Sequence, residues 1–237
     1  MKKVLLFLVL AVGVNSSALL FSDEVWLSES WASLGSEYGS FFERYSEGRN
    51  TVGSYTFSSG INFGGYRFFN GKRYGIFLNG LLALPVISDI ETNGVITRNS
   101  LAEALFSYQV GLIFGPGFRL PINNSINFRF GVGASFLLTD AACIEYIRGY
   151  GNAEVEKLTF SLGIGGDVGF KFDITNNVFL SAGSIVTFAF ASYMNVDTPY
   201  GSSSGWAKDY FMFSLRPYIA IGINLYWDST AARVQPP

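Results

Sequence analysis

Histidine is absent from this 237-residue chain, and cysteine occurs once, at Cys143. Without histidine, imidazole-based acid–base catalysis and most zinc or transition-metal sites are excluded. A lone cysteine cannot form an internal disulfide, and we interpret Cys143 as an incidental residue near a strand end rather than a nucleophile. The sequence predicts no cofactor and no metal site.

Charge is scarce as well. Charged residues make up 14% of the chain, whereas 49% is hydrophobic and 17% aromatic, and soluble domains usually carry about a quarter charged residues. Yet there is no apolar run of about twenty residues, which a membrane-spanning helix needs. Without Lys2 and Lys3 the basic residues number 16 − 2 = 14 against 18 acidic ones, a net charge of −4. This mildly acidic balance argues against nucleic acid as a partner.

The N-terminus has the pattern of a secretory signal peptide. Lys2 and Lys3 precede an apolar segment at 4–14, and the small residues Ser16 and Ala18 satisfy the rule for cleavage after Ala18. We therefore expect a signal peptide over 1–18, with cleavage after Ser22 as the alternative. A buried strand or helix is the competing interpretation of this segment.

Apolar residues recur instead at every second position. In 157–174, KLTFSLGIGGDVGFKFDI, one face from Leu158 to Phe172 is apolar apart from one glycine, and the other face carries Thr, Ser, Gly, Asp and Lys. The same alternation fills 104–120, 126–138 and 211–227. A period of two sustained over this length predicts β-strands.

Eight strands are predicted in all. They cover 25–38, 57–69, 72–86, 102–120, 125–139, 156–173, 177–194 and 208–227. Turn-forming sequences at 68–73, 120–125 and 173–178 alternate with polar stretches, interpreted as long loops, at 39–57, 87–101, 140–155 and 195–208. Pro85, Pro116 and Pro217 fall inside predicted strands, where each removes a backbone donor, so we expect bulges or rim positions there.

The composition of the two faces indicates what surrounds the sheet. A polar face of mostly glycine and serine has too few charges to meet water, but it fits the narrow lumen of a small barrel whose apolar face meets lipid. The sequence thus predicts an all-β protein, an eight-stranded antiparallel up-and-down transmembrane β-barrel over 19–228, with a short periplasmic tail at 229–237. An even strand number would place both termini and the short turns in the periplasm and the long loops outside the outer membrane of a diderm bacterium.

Several charged and apolar residues fall on the predicted lumen faces. We expect Arg129 to meet Asp167 or Asp173, Lys171 to pair with Asp173, and Arg216 to meet Glu29. Such charges either fill and fasten the barrel, the interpretation we prefer, or form a constriction that selects solutes. The charged residues are Glu29, Glu37, Arg119, Arg129, Asp167, Lys171 and Arg216. Four apolar residues also fall on the lumen faces, and they suit either a hydrophobic passage or a packed plug: Ile113, Leu137, Ile185 and Met212.

As a pattern of strands, the chain resembles the small eight-stranded outer-membrane barrels of the OmpA, OmpX and OmpW type, and most closely OmpW-like and spirochaetal barrels. Such barrels usually end on an aromatic residue that the outer-membrane assembly machinery reads. Here Trp227 is followed by DSTAARVQPP, so either this tail is a short periplasmic extension or the assembly signal is recognised internally.

The resemblance implies a narrow channel or lateral-exit conduit for small, hydrophobic solutes. The alternative is a non-conducting structural or surface-contact barrel whose extracellular loops bind host or surface partners. A lipid-modifying enzyme is disfavoured, because the enzyme families on small barrels rely on histidine. The resemblance therefore favours a non-enzymatic barrel, and of the two non-enzymatic functions we prefer the conduit.

Overall fold

The computed structural model describes residues 26–47, 50–69, 72–97, 104–147 and 151–227. The predicted signal peptide at 1–18 and the tail at 229–237 lie outside these ranges. All regular structure in the described residues is β-strand, and no helix among them could cross a membrane. The strands are β1 (Trp26–Glu47), β2 (Asn50–Phe68), β3 (Tyr74–Thr92), β4 (Val95–Thr97), β5 (Ala104–Pro121), β6 (Ile126–Ile147), β7 (Gly151–Asp173), β8 (Val178–Thr198), β9 (Gly201–Trp206) and β10 (Lys208–Trp227).

Eight of these strands are long, and each pairs antiparallel with its neighbours in chain order. The last strand, β10, pairs with β1 on one side and with β8 on the other. Each long strand therefore has a neighbour on both sides. The predicted eight-stranded up-and-down barrel is confirmed, and the two short strands β4 and β9 extend the hairpins of β3 and β8.

The strand β10 shows how the faces divide. Ile219 and Ile221 are 76% and 61% exposed, whereas Arg216 is 6% exposed. The outward side chains are thus apolar, as lipid requires, whereas buried polar side chains such as Arg216 point into the barrel. The period of two in the sequence predicted this division correctly.

The predicted long loops are wrong wherever the structure describes them. The β1–β2 ladder runs up to the Glu47–Asn50 pair, and the β6–β7 ladder continues without interruption to the Ile147–Gly151 pair. Polar stretches were interpreted as loops because they lack an apolar face. Strands that project into water need no such face, and their backbone groups still pair.

Two of the three prolines predicted within strands lie at irregularities of the ladders. Pro85 sits beside a register shift between β2 and β3, and Pro217 lies in the interval where the β1–β10 register shifts. At these two places the missing backbone donor is tolerated, as expected. Pro116 has no bulge beside it, because the β5–β6 register is the same on both sides of it and it pairs with Ile76 on β3.

Candidate functional site: the barrel interior

The lumen at the end with the short turns is crossed by hydrogen bonds to one carboxylate. Asp167 on β7 accepts a bond of 2.6 Å from the Tyr66 hydroxyl and one of 2.8 Å from the Tyr218 hydroxyl. β2 lies four strands from β7 in either direction around the barrel. The Tyr66 side chain therefore reaches across the full width of the lumen and joins opposite walls.

Glycine makes room for this crossing. Asp167 lies opposite Gly131 on the neighbouring strand β6. A β-carbon at Gly131 would collide with the ring of Phe77, and one at Gly117 would collide with Tyr66. The small residues of the polar face thus leave the space that the inward aromatic rings fill.

Arg129 is the cation at this level, and its side chain is fully buried. Its guanidinium lies between two rings, 5.1 Å from the centre of Tyr66 and 5.2 Å from that of Phe179. It donates a hydrogen bond to the Ser181 hydroxyl, and its charge attracts the Asp167 carboxylate. A charge removed from water is tolerated only with such compensation, so Arg129 and Asp167 are mutually dependent.

A second polar cluster lies nearer the turn end. Lys171 forms an ion pair of 2.9 Å with Asp173, and its ammonium lies 4.8 Å from the ring centre of Phe179. Asp173 also accepts hydrogen bonds from Asn224 at 3.0 Å and Asn127 at 3.4 Å. This cluster fastens β6, β7 and β10 just inside the rim.

The remaining charged residues predicted in the lumen are distributed along the barrel. Arg119 is half-buried near the turn end and stacks over Phe68, with its guanidinium carbon 4.8 Å from the ring centre. Arg216 is buried at mid-height. Glu29 lies in β1 opposite Asn224, but the side chains of Glu29 and Glu37 are outside the described part, so the expected Arg216–Glu29 contact is untested.

The apolar residues predicted in the lumen are packed rather than lining an opening. Ile113 and Ile185 belong to a cluster, here called the turn-side cluster, whose other members are Tyr66, Phe68, Phe77, Phe179, Tyr218 and Ala220. Leu137 and Met212 belong to a hairpin-side cluster with Leu81, Ala83, Ala189 and Tyr210. A cavity between the two clusters, beside Arg216 and Asn79, has a volume of about 10 Å³, which is the room of one water molecule.

Polar cross-links continue in the hairpin-side half. The Tyr210 hydroxyl lies 2.8 Å from that of Ser161, and the Ser58 hydroxyl donates to the side-chain amide oxygen of Gln109 at 3.0 Å. These bonds join strands that are two apart around the barrel, β7 with β10 and β2 with β5, so in the part of the lumen that the structure describes the hairpin-side half is packed and bonded between non-adjacent strands.

The inward aromatic residues were not singled out from the sequence. Tyr66 stacks on Phe68 and Phe77, with ring centres 5.6 and 5.7 Å apart. Two aromatic residues at alternate positions of β2, Tyr66 and Phe68, could have indicated an aromatic inner face, but small residues were expected in the lumen. Among the described residues, no group of three or more Cys, Asp or Glu side chains could hold a metal ion.

Comparisons with known proteins bear on the fold. No protein-family model matches the chain, and no curated protein matches it. Among solved structures, the outer-membrane protein OprG of Pseudomonas aeruginosa superposes with a TM-score of 0.50 at 9% identity, over 85% of this chain and 96% of that one. AlkL, determined in DMPC bilayers, gives 0.46 at 11% identity over 86% and 92%, and Ail of Yersinia pestis gives 0.39 at 11% over 86% and 100%.

At such low identities a likeness speaks for the fold and not for the activity. The OprG superposition agrees with the antiparallel strand order and the outward apolar side chains of this chain, since OprG is an outer-membrane protein. The chain has the fold of the small eight-stranded outer-membrane β-barrels.

Proposed function

We propose that this protein is a non-conducting, non-enzymatic outer-membrane barrel. Its interior side chains hold the strands of the wall together, and its projecting hairpins form a contact surface. The observation that carries the proposal is the crossing of the lumen by Tyr66, Asp167 and Tyr218. A through-pore would need these bonds to break and would leave Arg129 buried without its carboxylate. Ile113, Leu137, Ile185 and Met212 support the same view, because they are buried in packed clusters and line no passage.

The length of the strands supports a contact role. A tilted strand crosses the hydrocarbon core with about nine to eleven residues, whereas β6 has 22 and β7 has 23. The surplus lies at the hairpin end, where Glu154 and Glu156 are exposed. We place this end outside the cell, with both termini and the short turns in the periplasm, and expect a host or surface ligand to bind there.

Conductance tests the proposal. Refolded mature protein in a planar bilayer is expected to give no reproducible current steps. A Tyr66→Gly/Phe179→Gly variant removes two rings that fill the lumen, and it should conduct, which shows that the assay detects an open barrel. The lipid-facing Ile219→Ala is the matched control and should remain silent. Reproducible steps from the wild type would overturn the proposal.

A second function, lateral exit of a small hydrophobic solute through the wall, is favoured by one observation. The β3–β5 ladder ends at the Ala83–Gln109 pair, although β3 continues to Thr92 and β5 begins at Ala104. Above that pair, no further pairing joins residues 84–92 of β3 to residues 104–108 of β5 in the part of the chain that the structure describes. A solute could enter from the hairpin end and leave through this seam without crossing the packed turn-side cluster.

Uptake separates the two functions. In cells expressing a Cys143→Ser background, an Ala83→Cys/Gln109→Cys disulfide would hold the last pair of the ladder together. If the seam is an exit, oxidation should reduce uptake of a hydrophobic fluorescent dye and reduction should restore it. Uptake that equals that of empty-vector cells in both redox states would remove this candidate.

A further inference from the structure

The short turns differ in charge. The β5–β6 turn at 122–125 reads INNS and the β7–β8 turn at 174–177 reads ITNN, with no charged residue in either. The β2–β3 turn ends in Lys72 and Arg73, both exposed. Basic side chains are therefore concentrated in one sector of this rim.

The turn itself fixes where these cations lie. The Lys72 amide donates to the Phe69 carbonyl at 2.8 Å, and the Arg73 carbonyl accepts a bond of 2.8 Å from the Arg119 amide at the end of β5. Arg73 is thus tied to two strands, β3 and β5, and does not sit on a free loop tip. Arg67 lies on the outward face of β2, opposite Ile76, and adds a third cation on the lipid side of the same sector.

An aromatic band marks the height of the membrane surface here. Phe69 and Tyr74 bracket the turn with ring centres 5.5 Å apart. Tyr74 pairs with Phe118, whose ring stacks on Phe130 at 5.0 Å, and the outward band continues around the barrel through Phe128, Phe170 and Phe172. Such bands lie at the level of the lipid headgroups.

We propose that Arg67, Lys72 and Arg73 form a binding site for the headgroup phosphate of an anionic phospholipid. Arg73 comes directly after the turn and directly before Tyr74, so Lys72 and Arg73 stand at or just beyond the aromatic band, where lipid phosphates lie. Arg67 lies opposite Ile76, two residues further from the turn than Tyr74, and would contact the phosphate from the membrane side. The exposed Ile76 and Pro116, which pair with each other on β3 and β5, offer an apolar surface for the acyl chain below. The three cations complement a negatively charged headgroup, and the apolar surface next to them complements an acyl chain. Both together fit a lipid rather than a free anion.

Native mass spectrometry of the full mature chain tests the site, with phosphatidylglycerol and phosphatidylcholine as probes. The wild type should retain phosphatidylglycerol in preference to phosphatidylcholine. Each neutralised cation should weaken phosphatidylglycerol binding about fivefold, so Lys72→Gln/Arg73→Gln should lose most of the preference. That double variant changes only exposed turn residues, so the test stays valid even if Arg67→Gln impairs folding.

Lys157→Gln/Lys208→Gln, two cations of the hairpin end, is the matched control and should retain the lipid as the wild type does. Heat-modifiable electrophoretic mobility verifies that each variant is folded. Equal retention by the turn variant and the wild type would overturn the proposal. Equal loss in the control, or displacement of the lipid by inorganic phosphate alone, would also overturn it, since the site would then be non-specific or would bind free anions.

Discussion

Tyr66 on β2 donates a hydrogen bond of 2.6 Å to Asp167 on β7, the strand farthest from it around the barrel. Tyr218 on β10 donates to the other oxygen of the same carboxylate. One side chain therefore joins three strands through the lumen, and the stability of the barrel should depend on it more than on any lipid-facing contact.

Asp167→Asn should destabilise the folded barrel strongly. The substitution keeps the shape of the side chain but removes the charge that balances buried Arg129, at a cost on the order of 3–5 kcal/mol. The midpoint of urea unfolding, followed by tryptophan fluorescence in lipid vesicles, measures the change. Asp209→Asn is the control, because Asp209 is exposed with a φ of 52° that asparagine also adopts readily. Equal midpoints for the two variants would contradict the role of Asp167.

Tyr66→Phe and Tyr218→Phe should each cost about 1.5–3 kcal/mol, the range for hydrogen bonds to a charged group. Phenylalanine keeps the ring contacts, so the loss reports the hydroxyl alone. The double variant should deviate from additivity, because both hydroxyls bond to one carboxylate. Tyr74→Phe, at a half-exposed tyrosine, should change little. Strict additivity of the two core substitutions would show that the bonds act independently.

Arg129→Met and Lys171→Met should differ in effect. Arg129 is fully buried, whereas the partner of Lys171, Asp173, keeps 23% of its side chain exposed. Methionine retains the packing of both stems. We expect roughly 3 kcal/mol or more for Arg129 and about 1 kcal/mol for Lys171. The midpoints of urea unfolding of the two variants in the same vesicles measure the two losses of stability. A larger loss for Lys171→Met than for Arg129→Met would contradict the greater importance of Arg129.

Gly131→Ala should destabilise the barrel by about 1–3 kcal/mol, the usual cost of overpacking. The added β-carbon would strike the ring of Phe77, which is buried and held by Tyr66. Gly205→Ala places its β-carbon in open space on β9 and should be close to neutral. The midpoint of urea unfolding measures the stability of both variants. An unchanged midpoint for Gly131→Ala would mean that the lumen is packed more loosely than the structure indicates.

For the side chains that the structure describes, the period of two in the sequence predicted which charged residues are buried in the lumen. Arg129, Asp167, Lys171 and Arg216 are all buried, as the alternation placed them. This works because side-chain direction along a strand is a local property of the backbone. The same holds for the outward position of Ile219.

The partners across the lumen could not be predicted in the same way. The bond from Tyr66 to Asp167 joins residues 101 positions apart, and it depends on barrel width and strand stagger, which no local pattern encodes. Arg129 was expected to meet a carboxylate, but its contacts with Tyr66 and Phe179 were not foreseen, because the lumen was expected to be polar rather than aromatic. The hairpins were mistaken for loops because strands surrounded by water carry no apolar period.

The shared carboxylate also constrains the order in which the barrel can be assembled. Tyr218 belongs to the last strand, and Tyr66 to the second, so Asp167 cannot gain both partners until the whole chain has reached the membrane. A chain that ended before β10 would hold the Asp167 charge in a lumen without one of its two donors and with one wall missing. Insertion should therefore be cooperative and late, with the earlier strands kept in a hydrated, unsealed arrangement until the C-terminal strand arrives.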